Sequence, residues 1–64
     1  MNNITVRKKQ ILKGLASGKR AGDIADDLGI SINTTRLHIR ELKLILSAST
    51  TPELISKAIQ EGVI

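Results

Sequence analysis

Cysteine is absent from this chain of 64 residues, as are phenylalanine, tyrosine and tryptophan, while histidine, methionine and proline occur once each. Without cysteine there is neither a disulfide framework nor a thiolate zinc site, and one histidine cannot make a multi-histidine metal centre. A cysteine-free composition also fits a reducing compartment. Without rings, the chain lacks the platforms on which single-stranded nucleic acid is usually stacked. There is no Gly-rich phosphate loop and no pair of carboxylates sharing an uncharged pocket. The lone His38 has no nucleophile near it on its own helical face, so no enzyme is expected. No apolar run approaches the roughly 18 residues of a membrane span, and no n-region, h-region and cleavage site open the chain. The expectation is a cytoplasmic protein with no cofactor, no metal and no membrane partner.

Aliphatic residues and positive charge are what the chain does have. Ten isoleucines and eight leucines must form the core. A chain this short makes one small domain over 1–64, burying only about 60 % of its unfolded surface. The formal net charge is +4. Six basic residues (Arg7, Lys8, Lys9, Lys13, Lys19 and Arg20) come before the first acids, Asp23, Asp26 and Asp27. On charge alone, this run is either a solvated helix face or a surface that meets phosphates.

Apolar residues recur with a period near 3.6 and never alternate, which predicts an all-α domain. A first helix over 6–17 has Thr5 as N-cap and Ile4, Ile11, Leu12, Leu15 and Ala16 on one stripe, and Gly18 ends it. A second, over 21–28, turns Ile24, Ala25 and Leu28 inward and closes at Gly29. Only Gly29, Ile30 and Ser31 precede the third helix, and a turn of about three residues holding a glycine between two helices signals a helix-turn-helix. Ser31 is a good N-cap for that third helix. At about 100° per residue, Thr35, His38, Ile39, Leu42, Ile45 and Leu46 fall on one side, with Asn33, Arg36, Leu37, Arg40, Lys43 and Leu44 on the other. A break at 47–51 follows. Thr51 is the expected cap of a fourth helix with Pro52 at its first position, running to about residue 61 and stopped by Gly62.

These segments resemble the LuxR/GerE-type helix-turn-helix domain, without a gap from Ile4 to Ala58. The stretch ITVRKKQILKGLASGKRAGDIADDLGIS is similar to the family pattern L-T-x-R-E-x-x-V-L…A-x-G…I-A-x-x-L-x-I-S through Thr5, Arg7, Ile11, Leu12, Ala16, Gly18, Ile24, Ala25, Leu28 and Ser31. Thr34 and His38 match S-x-x-T-V-x-x-H, followed by Leu42 and Leu46, then Glu53, Leu54 and Ala58 in the last helix. The resemblance implies a four-helix domain whose third helix enters the major groove of double-stranded DNA while the second crosses the backbone. Arg36 and Arg40 then become candidates for guanine O6 and N7, and Leu37 for a thymine methyl. Lys19, Arg20, Ser31, Asn33, Thr34 and Lys43 become candidates for phosphates. The plainer alternatives are that the two arginines are solvated or pair with Glu41, and that Ser31 only caps its helix. His38 reads as a packing residue. The fourth helix is the family's dimerisation element, with Ile55, Ile59 and Val63 as the apolar strip of a homodimer unless they pack into the chain's own core.

On this resemblance the chain is a small bacterial transcriptional regulator, nucleoid-associated when bound, with RNA polymerase as a possible further partner. The competing function is an interaction module that captures a larger LuxR-type regulator through the fourth helix. Three departures from the family pattern stand out. Thr35 replaces a valine and puts a hydroxyl near the core; Ile45 replaces a lysine and removes a phosphate contact. Lys8 replaces a glutamate that would complete a capping box with Thr5, so Lys8→Glu is expected to stabilise the fold by about 0.5–1.5 kcal/mol.

Overall fold

Side-chain hydroxyls start three of the four helices, and a left-handed residue ends each of them. The computed structural model describes residues 4–64 as α1 (Val6–Ala16), α2 (Ala21–Leu28), α3 (Ile32–Ile45) and α4 (Thr51–Gln60), with no strand among the described residues. The Thr5 hydroxyl accepts from the Lys8 N–H at 3.2 Å and Ser31 from the Thr34 N–H at 3.0 Å, as N-caps do. The α4 cap is Thr50, one residue earlier than expected, because its hydroxyl accepts from the Glu53 N–H at 3.2 Å. That register makes Glu53 the third helical residue and Pro52 the second. The Glu53 carboxylate reaches back to the Ser49 N–H at 2.5 Å. Helix α2 differs: Arg20 precedes it and offers no acceptor, leaving a long 3.5 Å bond from the Arg20 N–H to the Asp23 carboxylate.

Each C-terminus closes with a bond from an N–H to the carbonyl five residues back: Lys19 to Gly14, Ile30 to Ala25, Ala48 to Lys43 and Val63 to Ala58. This closure needs a left-handed residue just before the donor. Gly18, Gly29 and Gly62 supply it at φ 88°, 67° and 71°, but α3 ends on Ser47 at φ 56°. The Lys57 ammonium donates to the Ser47 carbonyl at 2.6 Å and ties α4 to that turn.

Helix α1 packs against all three others, while α2 and α4 make no close approach to each other. Its Ile11, Leu12 and Leu15 meet Ile24 of α2, Leu42 and Leu46 of α3, and Leu54 and Ala58 of α4 in one aliphatic core. Ala16, expected on that stripe, is exposed. It lies about 90° round from the centre of the Ile11–Leu12–Leu15 face, and the chain turns away immediately after it. The Thr35 hydroxyl is fully buried and donates to the Ser31 carbonyl at 3.1 Å, so this departure from valine leaves no orphaned polar group.

Gly14 sets how closely α1 and α2 approach. A Cβ built there would lie 2.8 Å from Ile24 Cγ1, which belongs to a side chain only 2 % exposed. Gly14→Ala should therefore lower stability by about 1–2 kcal/mol, since overpacking outweighs the better helix propensity of alanine. Ser47→Gly should act oppositely, raising stability by about 0.5–1 kcal/mol: left-handed strain is relieved, less the entropy a glycine adds to the unfolded chain. Urea midpoints of the two variants should move in opposite directions from wild type, and a shared sign would refute one of the two assignments.

Candidate nucleic-acid interface

On α3 the core-facing side is Thr35, Leu42 and Leu46, all buried. Asn33, Arg36, Leu37, Arg40 and Leu44 are exposed and span about 100° of the opposite side. Arg36 and Arg40 stand one turn apart, about 6 Å along the axis. Among the described residues neither guanidinium pairs with a carboxylate, so the expected competitor, pairing with Glu41, is not formed. Leu37 is 49 % exposed and Leu44 76 %, leaving bare aliphatic surface beside the two cations. Lys43 is half-buried.

The candidate phosphate contacts sit around the start of α2 and α3. Ser31 is exposed but occupied: besides capping the helix, its hydroxyl donates to Thr34 Oγ1 at 2.9 Å. Both keep surface for a further acceptor, and Asn33 lies beside them, exposed. Lys19 donates to the Asp27 carboxylate at 2.5 Å, and that hydrogen bond, with the charge of Asp27, raises the lysine's pKa. Arg20, next to it, is exposed and has no ion-pair partner among the described residues.

The basic run is thus less available than its sequence suggests. Arg7 donates to the Leu28 carbonyl at 3.3 Å, where a cation complements the C-terminal end of α2. Lys8 reaches across to α3 and pairs with Glu41 at 3.4 Å. With Lys19 also engaged, Lys9, Lys13 and Arg20 are left as the unpaired cations of the run. The Lys8 pair opposes the gain expected from a capping box, since Lys8→Glu would set a second carboxylate against Glu41. No local sequence signal marks this pair, because it forms only when α1 and α3 pack. His38, read as a packing residue, is half-buried with Nδ1 3.3 Å from the same Glu41 oxygen. These neighbours, His38 first and Lys8 second, hold the Glu41 carboxyl below its ordinary pKa.

On α4, the expected strip narrows. Ile59 is 59 % exposed, whereas Ile55 and Val63 are half-buried and pack against the core. An open cleft of about 290 Å³ runs between α1 and α2, lined by Lys13, Gly14, Ile24 and Asp27 among others, with no residue from α3. Among the described residues no cluster of acids and histidine could hold a metal, and no helix is long and apolar enough to cross a membrane.

Two helices joined by a three-residue turn, the second with exposed arginines opposite its buried side, make a helix-turn-helix. The chain belongs to the luxR family of bacterial regulatory proteins, whose model matches residues 2–58. It is 35 % identical over 63 residues to the transcriptional activator protein LuxR of Aliivibrio fischeri, a match covering 98 % of this chain and 25 % of that protein. It is 34 % identical over 61 residues to the transcriptional regulatory protein MctR of Rhizobium johnstonii, covering 95 % of this chain and 28 % of that protein. The chain therefore spans about a quarter of the length of these relatives.

The Glu41 cluster makes a prediction about acid stability. A carboxylate whose folded pKa is depressed stabilises the fold above its unfolded pKa, and that contribution is lost as pH falls through the folded value. Melting temperatures of wild type should thus fall more steeply than those of Glu41→Gln between about pH 6 and pH 3, with the two converging at the acid end. Parallel curves would mean that Glu41 has no net stabilising partner.

Proposed function

We propose that this chain binds double-stranded DNA sequence-specifically as a small transcriptional regulator, with α3 in the major groove and α2 across the backbone. The observation that carries this reading is the pair Arg36 and Arg40, exposed, unpaired and one turn apart on the outer face of the second helix of the motif. Two guanidiniums so spaced reach base edges on one groove floor and prefer guanine O6 and N7. Leu37 packs beside them on a thymine methyl. Arg20, Ser31, Asn33, Thr34 and Lys43 grip phosphates on either side, and Lys19 joins them by exchanging Asp27 for a phosphate oxygen. Such a regulator works in the bacterial cytoplasm, on the nucleoid.

One recognition helix covers too few base pairs for useful discrimination, so the regulator acts as a homodimer on two half-sites about 10 base pairs apart. The contact centres on Ile59, flanked by the half-covered Ile55 and Val63. The exposure of Ile59 also favours a second reading, in which α4 captures a larger luxR-family regulator instead of a second copy.

Arg36→Ala and Arg40→Ala should each weaken specific binding by about 1–3 kcal/mol and relax preference at one base position. Arg20→Ala should weaken all duplexes alike and lower the salt slope by about one. Fluorescence anisotropy at low and high salt, on duplexes selected from a random pool, measures both effects. A uniform, sequence-independent loss in all three variants would rule out the groove assignment. Ile59→Glu should convert the DNA-bound dimer to a monomer in sedimentation. A dimer that survives this change places the interface elsewhere, and a monomeric wild type on DNA supports the capture reading instead.

A further inference from the structure

Glu41 is the only carboxylate on α3. At about 100° per residue it lies about 40° round the helix from Leu37, on the rim of the surface assigned to the groove. A carboxylate there would face phosphates as α3 enters, and like charges brought together in a partly desolvated interface oppose association. Glu41 is nonetheless compensated. Lys8 Nζ lies 3.4 Å and His38 Nδ1 3.3 Å from the same oxygen, Oε1. The two partners differ in kind: His38 rides on α3 itself, whereas Lys8 projects from the first turn of α1.

The Lys8 side chain is 14 % exposed and that of Glu41 is 42 % exposed. The ammonium is therefore the fixed member, held by packing along its stem, and the carboxylate is the member drawn to it. Lys8 occupies this position against a local penalty, since a cation in the first turn of a helix meets the positive end of its dipole. The benefit lies across the fold, on α3.

We propose that Lys8 is a positioning residue for DNA recognition: it draws the Glu41 carboxylate back against α1 and neutralises it, clearing the groove-facing side of α3 for phosphate approach. His38 is the second, local partner of the same oxygen. This inference rests on the groove assignment for α3, and it adds a requirement from a helix that touches no base.

The test is a double-mutant cycle on the whole chain with Lys8→Met, Glu41→Gln and the combined variant. Methionine keeps the length and apolar stem of Lys8 while removing its charge. The probe is a 30-base-pair duplex enriched by wild type from a random pool, titrated at two salt concentrations and at a temperature where circular dichroism shows every variant folded. Lys8→Met should bind about three- to tenfold more weakly with base preference unchanged. Glu41→Gln should bind at least as tightly as wild type, and the double variant should match Glu41→Gln within about twofold, the non-additivity expected of a coupled pair.

Three results would overturn the proposal. A double variant as weak as Lys8→Met, with a salt slope lower by about one, would make Lys8 a direct phosphate contact. A Glu41→Gln variant that loses a preference for cytosine would make Glu41 a base reader. Equal affinity in all four proteins would mean that the pair serves stability alone. If wild type enriches no duplex, the groove assignment itself falls. Binding by wild type without recovery in the double variant defeats only this inference.

Discussion

The aliphatic face of α1, built from Ile11, Leu12 and Leu15, is the surface on which every other helix is placed. With no aromatic ring to fill space, the core consists of branched side chains of similar size, and the helices must approach closely to leave no void. Helix α3 also meets all three others, so α1 and α3 together carry α2 and α4, which do not support each other. The angle at which α3 presents its arginines is set by its packing on α2 and by α1, through Leu42 and Leu46 in the core and the Lys8–Glu41 pair at its edge. Recognition chemistry and core packing share one helix as their reference.

Much of this architecture was legible in the sequence because it depends on short-range rules. The stripe on α3 separated Thr35, Leu42 and Leu46 from Arg36, Leu37 and Arg40 by angle alone, and glycines marked three of the four helix ends. What escaped was either adjacent ambiguity or long-range pairing. Thr50 and Thr51 are chemically identical caps, and only the bond to the Glu53 N–H chooses between them. The partners of Arg7, Lys8 and Lys19 depend on which helices meet, so the basic run read as one patch although three of its members work within the fold. Ile55 and Val63 lie near the rim of the α4 contact, where angle does not decide between burial and exposure.

The charges that remain free are distributed with some consistency. Among the described residues Arg36 and Arg40 on α3 and Arg20 before α2 have no ion pair with a carboxylate, while Glu41 is held by Lys8 and His38 and Asp27 by Lys19. Exposed pairs of this kind contribute little to folding, and each masks a carboxylate on α2 or α3 together with a cation of the basic run. Each pair uses one cation with one carboxylate, so the net charge of +4 is unchanged by pairing and only its placement shifts.

The close approach at Gly14 also links two sequence positions that are read separately. The space a methyl group would need at 14 is already filled by the side chain of Ile24, so the two positions divide one fixed volume between two helices. Alanine at 14 becomes compatible with this backbone when 24 loses the γ-carbon that fills the space, as in alanine, whereas valine keeps a γ-carbon there and isoleucine demands glycine at 14. Changes at these positions are therefore tolerated as exchanges within the pair, and a variant made at one of them has its cost set by the occupant of the other.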